Sequence, residues 1–134
     1  MKTLNSLNTM PEQTQPIDLL NYFNIFSMLV FLLGLPLFIK FFPPKEINGF
    51  YGYRTTFSTK NHDTWREANT YFPQMMLKFV IPTAIIILSL VFCLPIKAVV
   101  FFAAFLILIP IFTAIFLTSK HLDKIFDSNG KRKI

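Results

Sequence analysis

Three long stretches without a charged residue divide the chain: Leu19–Ile39 (21 residues), Phe79–Ile96 (18) and Ala98–Ser119 (22). Each is apolar around its whole circumference at helical period, with none of the polar face that a soluble helix carries. About 20 apolar residues in a helix cross the roughly 30 Å hydrocarbon layer of a bilayer. The pattern therefore predicts an all-α membrane protein with three transmembrane helices, over about residues 19–42, 74–95 and 98–119. The third run is the richest. Its two Val, five Phe, three Leu and four Ile between Ala98 and Leu117 favour insertion by roughly 4–8 kcal/mol, at about 0.3–0.6 kcal/mol each. Pro110 is expected to kink it, and Pro36 and Pro82 to act likewise in the other two. Lys78 can snorkel and lend the shortest run another turn.

The connections are unequal. Only Pro95, Ile96 and Lys97 separate the second and third runs, so these form an antiparallel hairpin with Pro95 ending the second helix. Residues 43–73 make a connection of about 30 residues, longer than an ordinary linker and of the length typical of functional or disordered loops. Its aromatic content argues against disorder. Residues 1–18 are polar, contain Pro11 and Pro16 and show no periodicity, which predicts a flexible tail. The first alanine is Ala68, so no small-residue cleavage site follows the first apolar run, and helix one is expected to stay in the mature protein. The organisation read here is a tail over 1–18, a membrane domain over 19–118 and a basic tail over 119–134.

Composition sharpens this. Charged residues make up 15% of the 134 residues, against about a quarter in soluble domains. Of thirteen Lys and Arg, only Lys2 and Lys97 fall on the side of the N-terminus, and eleven fall on the side of the long loop and the C-terminus. The positive-inside rule places the loop and the basic tail in the cytoplasm and the N-terminal tail outside. Cys93 is the only cysteine, and neither His62 nor His121 has Cys or carboxylate neighbours at metal-ligand spacing. No metal or other cofactor is expected. Nothing has the spacing of a catalytic triad or carboxylate pair, so His62, Asp63 and Arg54 make a weak case for an enzyme. The charge-free runs contain no Asp, Glu, Lys, Arg or His, which weighs against coupled transport. Asn24 and Ser27, at i and i+3, can still line a seam between helices, leaving a small transporter or channel component acting as an oligomer as the alternative. Lys131, Arg132 and Lys133 read as a solvated end attracted to the membrane rather than as a nucleic-acid site.

The loop "INGFYGYRTTFSTKNHDTWREAN" carries the candidate chemistry. Pro43-Pro44 stops helix one. Asn48-Gly49 is a turn dipeptide, and Gly52 permits a tight bend. Phe50, Tyr51 and Tyr53 read as an anchor folding the loop onto the membrane surface. Ser58 or Thr59 can cap a short amphipathic helix lying in the interface and leading into helix two near Pro73. One face carries Trp65, Ala68, Asn69 and Phe72, the other Lys60, Asp63, Glu67 and Thr70. The planar fork of Arg54 can hold a phosphate or carboxylate, or pair with Glu46, Asp63 or Glu67 and fix the loop. Trp65 is an interfacial anchor or a binding residue; His62 is a solvated or capping residue.

The run Pro43–Asn69 resembles the signature loop of the SdpI/YfhL family of small bacterial membrane proteins. That pattern is a proline and small polar turn, G-Y-R-T, a Ser, and W-x-x-A-N. Pro43, Pro44, Gly52, Tyr53, Arg54, Thr55, Ser58, Trp65, Ala68 and Asn69 fill it. The resemblance extends over about residues 20–118. It departs at Phe57, where family members often carry a basic residue. It implies a non-enzymatic protein acting in immunity against a secreted peptide toxin, or in signalling that holds a cytoplasmic regulator at the membrane. The motif residues transfer as structural or partner-contact positions, with none catalytic. The implied partners are the bilayer, a secreted peptide toxin, a cytoplasmic regulator and a second copy of the chain.

Overall fold

The computed structural model describes residues 16–133. The expectation for the N-terminal tail therefore falls mostly outside the described residues. Four helices follow in order: α1 (Pro16–Phe41), α2 (His62–Cys93), α3 (Ile96–Leu106) and α4 (Leu108–Ile125). Three stretches, Asp18–Phe41, His62–Cys93 and Ile96–Ile125, are helical, long and apolar enough to cross a membrane. The architecture is all-α; among the described residues the one strand-like pairing is a single antiparallel bridge between Phe126 and Arg132.

The separate interfacial helix expected before Pro73 does not exist as such. The same residues are the first turns of α2, which runs 32 residues without a break. The reason lies in its buried face. Trp65, Ala68, Asn69, Phe72, Pro73, Met76, Leu77, Val80, Ala84 and Ile87 are all buried, and they recur at helical spacing on both sides of Pro73. One continuous stripe packs against the rest of the protein, and the Pro73 ring is part of it. That packing offsets the hydrogen bond the proline cannot donate. At about 1.5 Å per residue α2 is about 48 Å long, well beyond a hydrocarbon layer of roughly 30 Å. The 20 residues after Pro73 suffice for the layer, and the first turns, which carry Asp63, Arg66 and Glu67, stand clear of it.

Proline acts differently in the third apolar stretch. Pro110 has no N–H for the carbonyl of Leu106 and its ring crowds it. The helix is interrupted at Ile107, whose N–H still reaches the Ala103 carbonyl at 3.0 Å. Pro110 thus coincides with the break between α3 and α4, while Ile107 itself keeps helical dihedrals. Pro36 and Pro82 leave α1 and α2 unbroken.

α2 is the central helix and packs on α1, α3 and α4. Leu94 and Pro95 turn the chain from α2 into α3. Ile25, Ile87, Val99 and Ala103 form the buried cluster near that turn. Leu32, Ile39, Tyr53, Phe72, Met76, Val80, Ala114 and Phe126 belong to the cluster at the opposite end. Ala114 and Thr118 are fully buried, and small side chains here let α4 approach its neighbours closely. Outward-facing Phe31 and Phe92 are 79% and 90% exposed, as suits a surface solvated by lipid. Four span hydroxyls are satisfied at home: Ser27, Thr83, Ser89 and Thr118 each donate to the carbonyl four residues earlier, at 2.7–2.9 Å. Ser27 thus spends its hydroxyl proton on Phe23.

Candidate functional site

The signature residues gather at the far end of α2. Residues 42–61 wrap around its first turns, and the chain after α4 folds back onto the same place. Asn61 caps α2, not Ser58 or Thr59 as the sequence pattern had it. Its Oδ1 accepts the Thr64 N–H at 2.9 Å, while the Thr64 hydroxyl accepts the Asn61 N–H at 3.2 Å. This reciprocal pair satisfies two amides that a helix start leaves without partners.

Asn69 joins loop to helix. It is 1% exposed. Its Oδ1 accepts the Tyr53 N–H at 2.6 Å, and its Nδ2 donates to the Trp65 carbonyl at 3.0 Å. Gly52 makes the approach possible. It has φ +111, and a Cβ there would lie 2.4 Å from Asn69 Oδ1. Only glycine combines that backbone conformation with that clearance. Trp65 is fully buried and donates from Nε1 to the carbonyl of Pro44, also buried, at 3.0 Å. It is therefore a strut inside the protein and not an anchor in the interface. Ala68, fully buried, packs in the same core.

Tyr53 is also turned inward. Its ring centroid lies 5.0 Å from that of Phe72. Its hydroxyl shares a 2.8 Å hydrogen bond with Ser119 Oγ, fastening the loop to α4. Of the three aromatics read as a membrane anchor, Phe50 alone is fully open, at 94% exposure. An Asx turn presents it: Asn48 Oδ1 accepts the N–H groups of Phe50 and Tyr51 at 2.9 and 3.1 Å. Tyr51 rests against Phe38 of α1. Thr55 and Ser58 lock a turn between them. Ser58 Oγ accepts the Thr55 N–H at 2.8 Å, and Thr55 Oγ1 accepts the Ser58 N–H at 3.1 Å. Arg54 is exposed and donates to the Gly49 carbonyl at 2.8 Å. It bonds to none of the three carboxylates weighed as its partners. His62 instead stands 3.5 Å from Glu46, both well exposed.

The sequence reading missed the third component. Glu67 Oε1 lies 2.9 Å from His121 Nε2, and its Oε2 accepts from Arg132 at 2.8 Å. The His121 ring stacks on Tyr71, with centroids 3.7 Å apart and 6° between planes. The His121 hydrogen bond holds the Glu67 carboxyl below its usual range, against the pull of partial burial, with Arg132 adding to the lowering. The basic end is thus not simply solvated. Phe126 is buried beneath it, Asn61 Nδ2 donates to the Gly130 carbonyl at 2.8 Å, and Lys60 reaches the Ser128 carbonyl. Gly130, at φ +80, makes the turn. Asp127 Oδ1 accepts the N–H groups of Lys131 and Asn129 at 2.8 and 2.9 Å. The Lys131 bond is the main cause of its lowered pKa. A signal for this pairing was present. In an antiparallel hairpin, positions equidistant from the turn meet, and Glu67 and His121 are equidistant from Leu94.

Three apolar helices carrying this hydrogen-bonded head define a small multi-pass helical membrane protein. The family model described as the SdpI/YfhL protein family matches residues 45–118, more than half the chain, and the chain belongs to that family. Over 39 residues it is 51% identical to the uncharacterized protein YfhL of Bacillus subtilis (strain 168). That stretch is 29% of this chain and 36% of the relative, well short of the relative's full length. No solved structure matches the chain.

Because the Glu67 pKa is depressed, its contribution to stability is present above the ordinary value of 4.5 and lost as pH falls through the lowered one. In a pH titration followed by NMR in micelles, the Tyr71 ring signals should shift below pH 4.5 as His121 unstacks. Glu67→Gln should abolish that step. An identical acid step in the variant would refute the assignment.

Proposed function

We propose that this protein is a non-enzymatic integral membrane protein of the bacterial cell membrane that protects the cell from a secreted, membrane-active peptide and reports the encounter to a cytoplasmic partner. The observation that carries the reading is the build of the head in a member of this family. Tyr53, Ser58, Trp65 and Asn69 are buried and hydrogen-bonded internally, so these signature positions serve as framework. The outward residues Phe50, Arg54 and Arg66 are left to meet membrane or partner. A rigid head joined directly to a spanning helix suits a protein that passes an event in the bilayer to its surface. The channel alternative has less support, since Ser27, Thr83, Ser89 and Thr118 bond within their own helices.

The head is cytoplasmic in this reading and the Leu94–Pro95 turn external, because eleven of thirteen Lys and Arg lie on the head side. In a Cys93→Ser background, Lys97→Cys should react with an impermeant maleimide in intact cells and Ser128→Cys only after permeabilisation. The reverse pattern would invert the topology.

The immunity reading is tested by expressing the protein in a strain sensitive to secreted membrane-active peptides and scoring survival. Wild type should protect where empty vector does not. Arg54→Ala, whose side chain makes one exposed contact, should reach equal membrane abundance and show whether the outer face takes part. Lack of protection by abundant wild-type protein against every peptide tried would sink the immunity role.

A further inference from the structure

Beside the framework lies a concavity of about 450 Å³ lined by Pro43, Pro44, Lys45, Arg66, Asn69 and Thr70. Its two charges are both positive, and no carboxylate lines it. Neither the Lys45 nor the Arg66 side chain makes a hydrogen bond or ion pair to any described residue. Of the acids near in sequence, Glu46 stands with His62, and Glu67 with His121 and Arg132; Asp63, one turn before Arg66 on α2, forms no ion pair with it. The walls are fixed in advance. The Pro44 carbonyl holds Trp65, and both ends of the Asn69 amide are used. The Thr70 hydroxyl donates to the Arg66 carbonyl at 2.8 Å, so its proton is not offered to the concavity.

We infer that Lys45 and Arg66 form a binding site for the phosphate of an anionic phospholipid headgroup. Height in the membrane supports the lipid source. Counting about 20 residues back from Cys93 fills the hydrocarbon layer and ends near Gln74. Thr70 then stands about 6 Å beyond that edge and Arg66 about 12 Å. Headgroups occupy roughly the first 5–8 Å, and the concavity that Arg66 lines extends to Thr70 inside that zone. On the other wall, exposed Phe41 and Phe42 immediately precede Pro43, so the apolar surface of α1 ends where the cationic pocket begins. A guanidinium fork grips two phosphate oxygens while the lysine ammonium serves as a point charge. An acyl chain can then follow the Phe-rich outer face of α1.

The test uses the full-length protein in neutral detergent, with short-chain phosphatidylglycerol, phosphatidylcholine and inorganic phosphate as three separate probes. Binding is read by native mass spectrometry and by the thermal shift each probe produces. Phosphatidylglycerol should bind in preference to the other two. Lys45→Gln and Arg66→Gln should each weaken it about fivefold, and the pair together roughly thirtyfold. Lys124→Gln, the same charge loss on another exposed residue, should leave it within twofold. Because both pocket cations are surface residues, the variants should melt at the wild-type temperature without lipid, which separates lost binding from lost folding. Equal weakening by Lys124→Gln would overturn the site in favour of a diffuse charge effect. Inorganic phosphate binding as tightly as the lipid would overturn the lipid assignment. Phosphatidylglycerol affinity unchanged in the double variant would overturn the proposal altogether.

Discussion

The buried amide of Asn69 is the joint on which the head depends. In water, an asparagine on a helix surface contributes little. Here it is shut away from solvent, with its oxygen on the Tyr53 amide and its nitrogen on the Trp65 carbonyl. Removing it leaves the Tyr53 N–H buried without a partner, a loss of about 1–3 kcal/mol. The amide also sets geometry. It fixes where Gly52 passes over α2, and so where Tyr53 points. From there the Tyr53 hydroxyl reaches Ser119 and ties the loop to α4. Trp65 adds a second strut, through Pro44, to the end of α1. Two side chains of α2 thereby hold the loop against all three spanning stretches.

This arrangement works because α2 is longer than the membrane is thick. A helix confined to the apolar layer offers no place for an Asn, a Trp N–H and a Glu to find polar partners. Extending α2 beyond that layer carries its packing stripe into a region where polar groups are tolerated, so the same face that packs Val80 against the bundle packs Trp65 and Asn69 against the loop. The outer edge of the extension, with Glu67, receives the chain returning after α4. Loop and tail are thus bound to one helix, and a displacement of α2 in the membrane is felt by both. That coupling is what the proposed sensing role draws on.

The spans were legible from charge-free runs alone, because the bilayer tolerates few alternatives to an apolar helix. The signature loop was legible as a module, since Gly52, Trp65 and Asn69 are residue types that local geometry or burial demands. The joint between loop and helix was misread at Pro73. Proline normally marks a boundary, but the apolar stripe from Trp65 to Ile87 crosses it without losing phase, and tertiary packing overrode the local preference. Trp65 and Tyr53 were read as facing the interface because aromatic residues beside a membrane often do. Their inward orientation follows from partners distant in sequence: Asn69 and Ser119 for Tyr53, and the Pro44 carbonyl for Trp65. The docked tail was missed for a similar reason: a run of Lys and Arg reads as solvated until the hairpin places Glu67 within reach of Arg132.

The most direct measurement is amide hydrogen exchange on Asn69→Leu, a substitution close in size that removes both hydrogen bonds. If Asn69 is the joint, amides from Tyr53 to Lys60 and those of the 127–133 turn should lose protection together, while α1 and the membrane portions of α2, α3 and α4 stay as protected as in the wild type. Unchanged protection of the loop in the variant would contradict the account and move the joint elsewhere.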